Sequence, residues 1–72
     1  MATESYQTKF GERLRKLRED SGLSQEDLAN AAELHRTHIS LIERGQRSIR
    51  LETIEKLAVA LGVQPSKLMP DL

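Results

Sequence analysis

An all-α fold, a compact domain of five short helices, is what this sequence of 72 residues predicts, and three observations carry that expectation. Apolar residues recur three and four apart along most of the chain, the period of one helix face. Ser24 followed by Asp27 is helix-start chemistry, and Gly22, Gly45 and Gly62 each follow a periodic stretch where a helix should stop. The length suits one domain, residues 1–72, with a modest core.

Residues 1–5 show no periodicity and are expected to be frayed. Tyr6, Phe10, Leu14 and Leu17 mark the apolar side of a first helix that ends near Ser21, with Gly22 as its stop. Ser24 can then cap a second helix, Asp27 occupies the reciprocal position, and Leu23 with Leu28 forms a hydrophobic staple. That helix should run to about Ala32, turn a tight corner at Glu33 and Leu34, and lead into a third from about Arg36 to Arg44. Two short helices joined by such a corner make a helix-turn-helix, here about residues 24–45. After a loop over residues 46–50, Leu51, Ile54, Leu57, Ala58 and Leu61 are expected to form the buried stripe of a fourth helix ended by Gly62. Gln64 and Pro65 open a fifth, and Pro70 stops it.

Composition removes several function classes. There is no cysteine, hence no disulfide framework and no thiolate metal site, and neither a signal peptide nor a long apolar span is visible. A cytoplasmic protein without membrane association is expected. No G-x-S-x-G or P-loop motif occurs, so neither an enzyme nor a cofactor is expected. His35 and His38 share a helix face, but no third ligand stands at metal spacing, and no metal is expected.

The formal net charge is zero, which makes its distribution decisive. Residues 35–50 carry four arginines against Glu43 alone, whereas residues 23–34 carry three acids and no base. Within the third helix Ile39 and Ile42 point one way; Thr37, Leu41 and Arg44 lie roughly opposite, with Ser40 near the edge. This outer side carries no acid and suits a groove lined with phosphates. Arg36 can donate two parallel hydrogen bonds to guanine, Thr37 and Ser40 can offer hydroxyls to bases, and Leu41 can pack on a thymine methyl. The plainer reading leaves Arg36 on phosphate or in solvent. Ser24, Gln25, His38, Arg44, Arg47 and Arg50 are the candidate contacts to the DNA backbone, which fix register without reading sequence. A charged His35 or His38 would make DNA binding weaken above pH 6 to 7 as the charge is lost.

The spacing of Gln25, Leu28, Ala29, Ile39, Glu43 and Gly45 resembles the helix-turn-helix of phage Cro and repressor proteins of the XRE superfamily. LHRTHISLIERG followed by RSIRLETIEKLA is more similar still to the small controller proteins of restriction-modification systems, over about Phe10 to Leu68. The resemblance implies that Arg36, Thr37 and Ser40 face DNA, that Gln25 holds the sugar-phosphate backbone, and that His35 caps the recognition helix. It also implies a structural ion pair between Arg18 and Glu43. Arg50 departs from the pattern, which often has a serine cap there.

Ile49, Val59, Val63, Leu68, Met69 and Leu72 are more apolar side chains than one short terminal helix can hide, so residues 59–72 are expected to form a homodimer. The alternative is that Leu68 and Met69 close this subunit's own core. The leading expectation is therefore a homodimeric, sequence-specific transcriptional regulator reading a pseudo-palindromic operator. RNA polymerase is a further candidate partner, through Glu26, Asp27 and Glu33. An antitoxin or adaptor that uses the same fold to bind protein is the alternative.

Overall fold

The computed structural model describes residues 5–70. Its elements are α1 (Tyr6–Asp20), α2 (Gln25–Ala32), α3 (Arg36–Glu43) and α4 (Leu51–Leu61), followed by a single 3-10 turn, Pro65–Lys67. Residues 1–4, most of the stretch expected to fray, lie outside the described residues, as does Leu72. Ser5 is the cap of α1: its Oγ accepts the Thr8 N–H at 3.1 Å.

The expected fifth helix is thus only one 3-10 turn. Lys67, Leu68 and Met69 donate their N–H groups to the carbonyls of Gln64, Pro65 and Ser66, each three residues back. Between Pro65 and Pro70 there is too little chain to build successive α-helical turns, so the tighter bond pattern wins.

Helix starts and stops follow the side-chain chemistry closely. Asp27 N–H donates to Ser24 Oγ at 2.9 Å and Ser24 N–H to the Asp27 carboxylate at 3.0 Å, a reciprocal cap. Hydrogen bonds from Ser24, its backbone N–H first and its side chain second, hold the Asp27 carboxyl below its ordinary value. The corner after α2 places Glu33 in the left-handed region at φ 56°, and Leu34 N–H closes it on the Ala29 carbonyl at 2.8 Å.

Phe10 and Leu14 of α1, Leu28 of α2, Ile39 and Ile42 of α3 and Leu57 of α4 meet in one core. Leu68 completes it at 0% exposure. Its side chain therefore has no surface to offer a second copy, and it leaves the set expected at a dimer interface. Ile49 and Val63 are half-buried against the same core, while Val59 stays 76% exposed and Met69 is exposed.

Leu51 is 85% exposed, contrary to the expected stripe of α4, and Thr53 takes a buried place instead. At 100° per residue Leu51 lies about 90° from the centre of the side formed by residues 53, 54, 57, 58 and 61. The side chain follows the rotation of the helix rather than its own hydrophobicity.

The last residues are tied back to α1. Arg13 Nε donates to the Lys67 carbonyl at 2.8 Å and the Tyr6 hydroxyl to the Pro70 carbonyl at 3.2 Å. The same truncation should therefore have opposite weights at two leucines. Leu68→Ala should lower unfolding free energy by about 2 to 5 kcal/mol, and Leu51→Ala should change it by less than about 0.5 kcal/mol, both read from urea denaturation.

Candidate nucleic-acid interface

Helix α3 is clamped on its inner side by Ile39 and Ile42, both fully buried. That orientation leaves Arg36 and Thr37 exposed, Ser40 and Leu41 half-buried, and Arg44 exposed. Thr37, Ser40, Leu41 and Arg44 stand at helical spacing along one stripe, with Arg36 beside Ser40. The structure therefore brings the four candidate base contacts together on one side of one helix.

His35 caps α3, its Nδ1 accepting the Thr37 N–H at 3.2 Å. That cap shapes the turn bearing Arg36 and Thr37. His38 is held toward its neutral form. Burial depresses its pKa from the ordinary 6.5, and the cations of Arg47 and Lys56 depress it further. For His38 this runs against the expected pH dependence, since burial favours the uncharged ring.

Arg44, Arg47 and Arg50 are exposed on the end of α3 and the loop that follows. Arg44 Nε reaches back to the Ser40 carbonyl at 3.4 Å, and Arg50 has only a loose pairing with Glu52 at 4.0 Å, both side chains well in solvent. Such contacts restrain these cations little. Ser24 uses its oxygen as an acceptor for the Asp27 N–H.

Gln25 makes a contact inside the protein. Its side chain is half-buried and its Nε2 donates to Glu43 Oε1 at 3.1 Å, committing one amide proton inside the protein. The same carboxylate receives Arg18, whose Nε donates to Oε2 at 2.6 Å and whose second guanidinium nitrogen donates to Oε1 at 3.1 Å. The remaining Arg18 nitrogen donates to the Leu23 carbonyl at 2.8 Å. Side-chain exposures of 11% and 3% make this a largely buried pair. Its hydrogen bonds to Glu43 raise the Arg18 pKa against the cost of burial.

Sequence reasoning missed two features near this surface. Thr53 is 6% exposed and lines a cleft with His38, Arg47 and Lys56; a threonine within an apolar stripe was its only signal. Gln7 Nε2 donates to Ser48 Oγ at 3.1 Å, bracing the basic loop against α1, and no local pattern marks a bond between such distant residues.

Residues 9–69 match the family described as the helix-turn-helix domain. The chain is 52% identical over 61 residues to control protein C.BamHI of Bacillus amyloliquefaciens, covering 83% of this chain and 75% of that protein. It is 43% identical over 65 residues to control protein C.MunI of a Mycoplasma species, covering 89% and 88% respectively. The crystal structure of the restriction-modification controller protein C.AhdI from Aeromonas hydrophila superposes with a TM-score of 0.86 at 49% identity, over 88% of this chain and 96% of that one.

Two outcomes follow from the buried charges. Glu43→Leu leaves the Arg18 guanidinium without its counter-ion and should cost about 3 to 5 kcal/mol in denaturant unfolding, while Arg18→Met combined with Glu43→Leu should recover most of that loss. For His38 the folded pKa lies below the unfolded one, so its contribution to stability is complete above about 6.5 and is lost as pH falls through the folded value. Proton NMR of the ring should give a midpoint below 6.5, and His38→Gln should flatten the acid side of the stability profile.

Proposed function

This chain belongs to the helix-turn-helix family of DNA-binding transcriptional regulators, and from that premise we propose that it is a controller-type regulator binding a pseudo-palindromic operator as a homodimer. The observation that carries this reading is the outer side of α3, where Arg36, Thr37 and Ser40 are presented together while Ile39 and Ile42 anchor the helix from behind. Arg36 reads a guanine edge, Thr37 and Ser40 add hydroxyl and methyl contacts, and Leu41 lies against thymine. Ser24, Gln25 with its second amide proton, His38, Arg44, Arg47 and Arg50 hold phosphates on either side and set the register.

Similarity to proteins described as control proteins of restriction-modification systems supports the controller role. Val59 and Met69 offer exposed apolar surface, and Ile49 and Val63 are only half-buried, which supports a two-fold interface. Such a dimer places two copies of α3 about 34 Å apart, one turn of duplex. The exposed acids Glu26, Asp27 and Glu33 are then available to RNA polymerase. Among the described residues no helix is long and apolar enough to cross a membrane, in keeping with a cytoplasmic regulator acting on DNA.

Two arginine variants separate reading from positioning. Arg36→Ala should cost about 1 to 3 kcal/mol and relax preference at one base pair, whereas Arg47→Ala should weaken all duplexes alike and lower the slope of log K against log salt by about one. Fluorescence anisotropy on an operator and its single-base variants, at several salt concentrations, measures both. Identical responses would remove the division of roles. A protein that remains monomeric, with no preference for its upstream region over random duplex, would overturn the function itself and favour an adaptor.

A further inference from the structure

The loop between α3 and α4 carries Arg47 and Arg50, yet the chain around Arg47 has little of its own to hold it. Gln46 N–H closes on the Leu41 carbonyl at 3.0 Å, and the next backbone bonds run from Thr53 and Ile54 to the Arg50 carbonyl. Between these, residues 47–49 make one hydrogen bond among the described residues, the one that Ser48 Oγ accepts from Gln7 Nε2 at 3.1 Å. Ile49 beyond it is half-buried against the core. Arg47 therefore lies between two tied neighbours, Gln46 through the backbone and Ser48 through a side chain of α1.

Gln7 projects from a turn that is itself well held. In this first turn of α1, Ser5 Oγ accepts the Thr8 N–H at 3.1 Å and meets the Thr8 hydroxyl at 2.9 Å. Tyr6 beside it is tied through its hydroxyl to the Pro70 carbonyl. On the other side Gly45 presses on Thr8, so closely that an added Cβ would lie 2.7 Å from Thr8 Oγ1. That contact brings the capped turn against the start of the loop. Gln7 is half-buried there, and a long side chain confined in this way loses little further freedom in reaching Ser48.

We propose that Gln7 is a positioning residue for DNA binding: through Ser48 it holds the backbone beside Arg47, so that this cation meets the duplex without the loop first having to order. Gln7 itself touches no DNA. The inference rests on the DNA-binding reading and adds to it a residue of α1, distant in sequence from the recognition helix. Its physical basis is pre-organisation. A loop already ordered in the free protein gives up less conformational entropy on binding, so the same contact yields more affinity. Because the bond is exposed, its loss changes folding stability little, and its effect belongs to binding rather than to unfolding.

The test is a pair of double-mutant cycles on the full chain, read by fluorescence anisotropy on one short duplex at several salt concentrations. Gln7→Ala and Ser48→Ala should each weaken binding about two- to tenfold, and the two together no more than either alone. Ser48→Thr keeps the hydroxyl and should bind as the wild type does. In an Arg47→Ala background, Gln7→Ala should change affinity by less than about twofold, because the cation it positions is gone. NMR of the free protein gives a second readout, which a purely structural role elsewhere would not move. Gln7→Ala should lower the order parameters of the Arg47 and Ser48 amides from about 0.85 toward about 0.6, with the urea midpoint unchanged. Losses that add in either cycle overturn the proposal, since Gln7 would then act on DNA directly or through another residue. Wild-type affinity in both Gln7→Ala and Ser48→Ala at every salt concentration overturns it as well. A wild-type chain that binds no duplex brings down the DNA-binding reading and this proposal together, whereas additive losses in a chain that binds bring down the proposal alone.

Discussion

Arg18 stands near the end of α1, yet its guanidinium closes on Glu43 at the end of α3 and on the Leu23 carbonyl in the segment leading to α2. Gln25, in the first turn of α2, shares the same carboxylate. Three helices are thereby keyed to one charge pair. Taking two charges out of water costs several kcal/mol, and their attraction returns little more than that, so the pair adds little net stability. What it supplies is geometry. A planar guanidinium meeting a carboxylate through two parallel bonds tolerates little rotation, and the angle at which α3 leaves the body of the protein is set there.

Close approach of α1 to α3 works toward the same end. A side chain at Gly11 would collide with the Ile42 carbonyl and come within 2.7 Å of that of Glu43. At Gly45, whose φ of 71° already favours glycine, a Cβ would lie 2.8 Å from the Thr8 Cα. Glycine ordinarily weakens a helix interior by up to about 1 kcal/mol relative to alanine; at Gly11 that cost is offset by the contact it permits. With the end of α3 pressed onto α1 and its inner side fixed by Ile39 and Ile42, its outer side is left to solvent. A rigid base of this kind suits recognition, because polar side chains then reach outward from a backbone that need not move.

The zero net charge is compatible with DNA binding because the charges are sorted. Acids gather on α2 and arginines on α3 and its following loop, where they decide which side of the molecule approaches a phosphate backbone. At His38 burial favours the neutral imidazole first, and the cations of Arg47 and Lys56 add to it.

Much of the fold was legible from local chemistry. Ser24 and Asp27 read as a reciprocal cap, and the spacing of Ile39 and Ile42 was enough to orient α3, because caps and periodicity act within a turn or two of chain. The last helix was overestimated because apolar content was counted where two prolines leave room for only one 3-10 turn. Leu51 and Leu68 show the other limit. Both are leucines in a promising register, yet one is left in solvent and the other seals the core, according to where α4 begins and how the tail folds back through Arg13 and Tyr6. The sequence by itself determined the class of fold, the helix-turn-helix and the acid-free outer side of α3, since these depend on short-range spacing. Only the tertiary structure decided that Gln25 turns inward to Glu43, that Thr53 opens on a basic cleft and that Leu68 is spent within one subunit. Those outcomes depend on the rotation and close packing of helices distant in sequence, which no local pattern encodes.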